Sequence, residues 1–329
     1  MTQQFTGRMT RRAALGAGLA SFAIGGKALA AWPERPITLV VPYPAGGGTD
    51  IVARTLAPLM ERELRGSINV VNRAGGGGIT GHEAISRAQP DGYTIGMITN
   101  DLSFYTHLGQ SRLTHRDFSK IGQTNEIVGS VTVKGDSPYR KLSDLLDAIR
   151  ANPGRLRGTG AAPGVNWHVG FLGMADSLRI DPRSVIWVPA QGGTLGHQDV
   201  AAGGSEFSTS SLAEARALLE AQRVRTLALM GDARAEQFPD IPTLKEETGS
   251  DWTFSVVHGM GGPRALPAEI RNRLNEALRK AHASDEFQAA MRQRTIRAVN
   301  RQPDAWEEVL EQQLNTYGRL LRDAGLARG

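Results

Sequence analysis

The residues best placed to do chemistry are backbone amides in glycine-rich loops. Tyr43-Pro44-Ala45-Gly46-Gly47-Gly48-Thr49-Asp50 follows the apolar run Ile37 to Val41 and precedes Ile51, Val52, Leu56, Leu59 and Met60, which recur at helical spacing. The pattern predicts a strand, a loop and a helix. Glycines in such a loop can take positive φ, so successive N–H groups converge on an anion beside the positive end of the helix dipole. Thr49 or Asp50 is placed to cap the helix through a short side-chain oxygen. The alternative is a loop that serves only as a tight turn.

A second loop repeats the arrangement. Ile68 to Val71 predicts a short strand, followed by Asn72-Arg73-Ala74-Gly75-Gly76-Gly77-Gly78-Ile79-Thr80-Gly81 and a helix through Ala88. Two such loops would stand at the carboxyl ends of neighbouring strands, where open α/β sheets bind ligands. A third strand, Gly92 to Ile98, ends in Thr99, Asn100 and Asp101, so Asn100 is expected to reach the same ligand.

The elements needed to hold these loops can be followed along the chain. Ile127 to Val133 predicts a strand and Ser143 to Ile149 a helix, before Asn152-Pro153-Gly154 breaks the chain. A small-residue loop, Arg157 to His168, enters a helix over Val169 to Ser177. The strand Val185 to Pro189 leads into Ala190-Gln191-Gly192-Gly193-Thr194 and another helix. Strands are expected at Glu206 to Ser211 and Thr226 to Met230, with a helix between them. Residues 231–244 are turn-rich, and after Pro267 two amphipathic helices are expected. The count is two similar α/β sets.

Composition removes several function classes. The 329-residue chain carries a formal charge of +5, but its first thirty residues hold four basic side chains and no acid, leaving 34 basic against 33 acidic in the rest. Near-neutrality gives no argument for nucleic acid. Those thirty residues resemble an export signal: Arg8, Arg11 and Arg12, a modest apolar stretch from Ala13 to Ile24, and Ala28-Leu29-Ala30 as a cleavage site. Thr10-Arg11-Arg12-Ala13-Ala14-Leu15 resembles a twin-arginine signal in part, and general secretion is the other route. Cysteine is absent, which excludes disulfides and thiolate chemistry. The seven histidines include no pair at helical ligand spacing, so no metal site is expected, and no Gly-x-Ser-x-Gly elbow occurs.

Taken in order, the motifs resemble those of a known family, the Bug or TctC periplasmic receptors of tripartite tricarboxylate transporters. The resemblance rests on Trp32-Pro33 with Pro36-Ile37, Val41-Pro42-Tyr43, Gly46-Gly47-Gly48-Thr49-Asp50 with Ala53-Arg54, and Asn72-Arg73 with Gly75 to Gly81. It continues through Pro90-Asp91-Gly92-Tyr93-Thr94, Val188-Pro189 with Gly192-Gly193, Val224-Arg225 with Leu227-Ala228, and Pro239-Asp240-Ile241-Pro242-Thr243. It implies an α/β fold of the two-domain periplasmic binding protein type II kind, each domain a sheet flanked by helices. Residues 1–30 would be the signal, 31–130 plus 232–329 one domain, and 131–231 the other.

The resemblance further implies a small carboxylate solute and no cofactor. The solute would be held by Tyr43, Ala45, Gly46, Gly47, Gly48, Thr49, Asp50, Gly76, Gly77, Gly78 and Asn100 in the first domain. In the second, the matching positions are Thr159, Ala161, Asn166, His168, Gln191, Gly192 and Thr194, with Ser208 nearby. The family commonly has an aromatic-lysine pair where this chain has Ala190-Gln191. Ser208-Thr209-Ser210 replaces a commonly acidic, apolar segment, so a neutral distal pocket is expected. The partners would be membrane transporter subunits or a sensor kinase, and the receptor would be a monomer in the periplasm.

Two alternatives attach to particular residues. An exported NAD(P)-dependent oxidoreductase would use Gly76-x-Gly78-x-x-Gly81, with Asp101 twenty residues on, as a dinucleotide fingerprint. Against it, this loop is not in the first strand-helix unit, no catalytic pair stands at a strand end, and Gly46 to Gly48 would have no duty. His168 is either a ligand contact or a hydrogen-bonder that shapes its helix, whereas Trp167 is expected in the core and Arg73 on the surface.

Overall fold

Apolar strands alternating with amphipathic helices build two sheets that share one strand. The computed structural model describes residues 32–328, so the expected export signal lies outside the described residues. Strands β1 (Ile37–Val41), β2 (Ile68–Asn72) and β3 (Thr94–Thr99) are parallel, with β1 in the middle: Leu39 pairs with Val70 on one side and Ile95 on the other. Helices α1 (Gly48–Leu64) and α2 (Ile79–Ser86) make the crossovers. The sheet runs β2-β1-β3-β9-β4, with β9 (Ser255–Pro263) antiparallel to both β3 and β4 (Phe118–Lys134).

Strand β4 is the shared one. Its first part, Phe118 to Val128, pairs with β9, and its last residues, Gly129 to Lys134, pair with β7 (Phe207–Ser211) and β8 (Val224–Leu229). The second sheet continues from β7 to β5 (Leu156–Thr159) and β6 (Val185–Val188), parallel to one another. Its helices are α3 (Leu142–Ala151), α4 (Asn166–Ser177), α5 (Gly193–Ala202) and α6 (Leu212–Glu220). The chain crosses back at Met230, whose N–H donates to Gly129 O (2.7 Å) while its carbonyl accepts from Phe254 N (2.8 Å). Gly129 suits this crossing, because a Cβ there would stand 3.3 Å from Phe254 O.

Each sheet has its own apolar core. Leu39, Leu56, Met60, Leu274 and Leu278 pack together in the first, and Val131, Leu145, Phe171 and Phe207 in the second. Full burial of each such side chain contributes roughly 1.5–3 kcal/mol. Residues after the return crossing stay with the second core for a stretch: Leu244 of α7 (Leu244–Thr248) and Phe254 belong to it, and Trp252 Nε1 donates to Gly170 O (3.2 Å).

The fold differs from sequence expectation in three places. Strand β4 begins nine residues before Ile127, because its early part carries Gln123, Thr124, Asn125 and Glu126, polar residues that are buried and hydrogen-bonded. Strand β9 was hidden by Gly259, Gly261 and Gly262. A Cβ at Gly259 would lie 2.3 Å from the Trp306 ring, so the glycine makes room for that side chain. Three helices, not two, close the chain: α8 (Ala268–Ala283), α9 (Asp285–Gln293) and α10 (Pro303–Asp323). Ser284 ends α8 and its hydroxyl accepts from Phe287 N (3.2 Å), capping α9.

Candidate functional site

The loops after β1, β2 and β3 touch one another through Tyr43, Asn72 and Asp101, and Asp101 meets the start of α4, which follows β5. In the first loop Gly47 is the N-cap of α1 and offers no side-chain acceptor, so the first-turn amides of that helix are left to an outside group. Neither Thr49 nor Asp50 caps the helix, as the sequence suggested they would. Thr49 is buried with its hydroxyl 3.3 Å from His258 Nε2. Asp50 accepts instead from Gly46 N (2.8 Å), Asn72 Nδ2 (2.8 Å) and Arg54 Nε (3.0 Å). Burial works to raise its pKa, but these hydrogen bonds outweigh it and hold the carboxyl below its usual range. Asp50 therefore fixes the loop's shape, while Ala45, Gly46 and Gly47 stand exposed.

The second loop is built on left-handed backbone. Gly75, Gly76, Gly77 and Gly78 have φ of 144°, 56°, 65° and 98°. A Cβ on Gly77 would meet nothing within 4 Å, whereas one on Gly78 would lie 2.9 Å from the hydroxyls of both Tyr43 and Tyr105. Tyr105 donates to Gly77 O (2.8 Å) and is itself 3.0 Å from His82 Nδ1. The two tyrosines thus clasp the second loop against the first.

Asp101 joins the three loops to the other sheet. Its carboxylate accepts from Tyr43 Oη (2.5 Å), Thr99 Oγ1 (2.7 Å) and Asn166 Nδ2 (3.1 Å). Burial raises its pKa against the opposing pull of these donors, and burial followed by the Asp101 charge puts the Tyr43 phenol well above its ordinary value. Asn100 is fully buried and turned onto β9, its Oδ1 accepting from Val257 N (3.4 Å).

Across the gap, Asn166 opens α4 with a positive φ of 28°. Thr159 is buried and donates to Val188 O (2.9 Å), and the carbonyl of Ala161 accepts from Trp187 Nε1 (3.0 Å). His168 accepts from Gly164 N (2.8 Å) and stacks on Trp187 at 4.2 Å, and burial lowers its pKa to about 3. It is neutral at pH 7 and braces the loop that carries Asn166. Gln191 and Thr194 are exposed, and Gly192, with φ of 109°, is the N-cap of α5 without a side-chain cap. Ser208 is buried with its hydroxyl 2.8 Å from His197 Nδ1.

The structure therefore brings Tyr43, Gly78 and Asn166 together and leaves the glycine backbones of both loops on the rim. The side chains of Thr49, Asp50, Asn100, Thr159 and Ser208 are engaged within their own sheets. Sequence reading did not find Asp101 as the bridge, although its place at a strand's carboxyl end marked it. A dinucleotide role suits Asp101 poorly, because both oxygens already accept from side chains. Two cavities of about 380 and 360 Å³ open near the strand crossing, beside Asp232 and Arg297, and hold none of the expected site residues. Among the described residues no group of three or more metal-binding side chains is found, and no helix is long and apolar enough to cross a membrane.

The model of the tripartite tricarboxylate transporter family receptor matches residues 52–326. A UPF0065 protein from the tcbD-tcbE intergenic region of Pseudomonas sp. strain P51 is 30% identical over 300 residues, 89% of this chain and 87% of the relative. The crystal structure of a TctC solute binding protein from Polaromonas superposes with a TM-score of 0.77 at 28% identity, over 88% of this chain and 99% of that one. R. palustris Rpa4515, determined with adipate, has the same fold, with a TM-score of 0.77 at 24% identity over 90% and 99% of the two chains.

Proposed function

The chain belongs to the receptor family of tripartite tricarboxylate transporters, and from that premise we propose that it captures a small carboxylate-bearing solute between its two sheets and delivers it to a membrane transporter of that kind. Members are solute-binding receptors of the periplasmic binding protein class, not enzymes. The observation that carries the reading is the pair of glycine loops, Ala45 to Gly48 and Gly76 to Gly78, set side by side at one sheet edge with an uncapped helix start between them. Gly46 N is held by Asp50, and Gly47 N and Gly78 N donate to Pro44 O and Gly75 O, so the donors left for an anion are the first-turn amides of α1 and those of Gly76 and Gly77. That a relative of the same fold was determined with adipate supports a carboxylate as the anion.

Each charge-assisted hydrogen bond contributes roughly 1.5–3 kcal/mol. Three or four of them, less the cost of ordering solute and loops, suit about micromolar affinity, near −8 kcal/mol. Residues 31–130 with most of 232–329 act as one lobe and 131–231 as the other, joined by the stretch from Leu244 to Phe254 that packs in its core, with closure about the Gly129 and Met230 crossings. Asn166 meets Asp101 on closure, and Gln191, Gly192 and Thr194 present the second lobe to the solute's far end. Residues 1–30 direct export, and the mature receptor works as a periplasmic monomer.

The test is Gly77→Val in residues 31–329. A valine at φ of 65° is strained, but no atom lies within 4 Å of the new Cβ, so the fold should persist while the loop changes shape. Carboxylate binding by calorimetry should disappear, with an unfolding midpoint close to that of the parent. Retained affinity would sink the loop model.

A further inference from the structure

We infer that Glu214 is an internal carboxylate that selects against solutes carrying a second anionic group. The inference rests on the carboxylate-receptor reading and concerns the far end of the solute. At the second sheet's carboxyl edge, the backbone after Gly192 opens α5, and its uncapped amides would otherwise suit a second carboxylate. One of them is already taken: Glu214 Oε1 accepts from Gly193 N (3.1 Å).

The arrangement is built rather than incidental. Glu214 Oε2 accepts from the hydroxyls of Ser210 and Ser211, both at 2.8 Å, and the Glu214 amide donates back to Ser211 Oγ (3.3 Å). A Cβ at Gly193 would lie 2.6 Å from Glu214 Oε2 and 1.6 Å from Ser210 Oγ, so a glycine is required for this approach. Ser210 and Ser211 are buried, and Glu214 itself is half-buried.

Its partners, one amide and two hydroxyls, are all neutral, so none of them offsets its charge. Gln191, on the loop entering the same helix, adds no cation. A solute carboxylate arriving there would meet a like charge and lose the amide that Glu214 holds. The class expected is a monocarboxylate whose far end is neutral or cationic, in contrast to the adipate found with the R. palustris relative.

Calorimetry on residues 31–329 and on Glu214→Gln would compare equal-length pairs: pentanoate with glutarate, hexanoate with adipate, and the matching acids with a terminal amine. The parent should bind the monoacid more tightly than its diacid by about tenfold or more, and Glu214→Gln should shrink that ratio by about fivefold or more. A ratio is read because a general loss of packing would weaken both members alike. A parent that prefers diacids overturns the inference by itself, whether or not the variant folds. Monoacid binding with the same ratio in a folded Glu214→Gln overturns it while leaving the receptor reading intact. If no acid of the panel binds the parent, the solute class named here is wrong and the inference is overturned, while the receptor reading is decided by the wider carboxylate screen.

Discussion

Asn166 Nδ2 donates to Asp101 Oδ1 at 3.1 Å, joining the first turn of α4 to the end of β3 across the gap between the sheets. The same carboxylate is held from its own side by Tyr43 and Thr99. One buried acid therefore registers the two glycine loops and the opposing sheet against each other.

Replacing Asn166 by glycine should loosen that registration without straining the chain, because glycine accepts the φ of 28° found there. Loss of one hydrogen bond to a charged group should weaken solute binding by about tenfold or more. Calorimetry checks it, and an unchanged dissociation constant would separate the bond from binding.

Gly160 should behave quite differently from Gly77. A Cβ at Gly160 would sit 2.0 Å from Thr209 O, on backbone with φ of 142°, so Gly160→Ala must push β5 from β7. We expect a loss of about 2–4 kcal/mol in chemical denaturation. A variant as stable as the parent would contradict the packing described.

How much of this was legible beforehand depended on the kind of residue. The loops after β1 and β2 could be placed from apolar runs ending in glycine, and Asn166 and Gln191 from their positions before helices. Early β4 could not, because Gln123, Thr124, Asn125 and Glu126 are polar yet buried through mutual hydrogen bonds. Asp101 and Glu214 carry roles set by partners 65 and 21 residues away, which no local pattern encodes. Asp50 looked like a helix cap and is instead a clamp on Gly46.

Arg301 should prove structural. Its guanidinium donates to Gln123 Oε1 (2.7 Å) and to the carboxylate of Glu126, which is largely buried. Arg301→Ala would leave that acid with the more distant Arg297 (4.0 Å), at a cost of about 3 kcal/mol. Denaturation should register the loss, and solute affinity should not follow beyond it. Intact stability would mean that the pair holds nothing.

Stability should fall on mild acidification. Burial holds His82 and His168 to about 3 and His197 and His258 to about 4, below the unfolded value near 6.5. Folded pKa values below unfolded ones mean that the unfolded chain takes the protons first. The contribution is thus full above about pH 6.5 and is lost as pH falls toward 4, with a slope of up to about 1.4 kcal/mol per pH unit for each histidine. Asp101, raised by burial, works in the opposite sense nearer its own pKa. Denaturation between pH 7 and 5 should show a declining midpoint, flatter by up to one proton in His168→Gln. A level profile would contradict these buried neutral rings.

The most direct measurement is a thermal-shift screen of residues 31–329 against mono-, di- and aromatic carboxylates, with NAD and NADP included. A solute at about 100 times its dissociation constant stabilises the folded form by about 2.7 kcal/mol, a shift of several degrees at most for a chain of this size. A shift with one class of carboxylate and none with the nucleotides is the predicted result. A shift with NAD or NADP alone would contradict it and make the Gly76 to Gly81 loop a dinucleotide site.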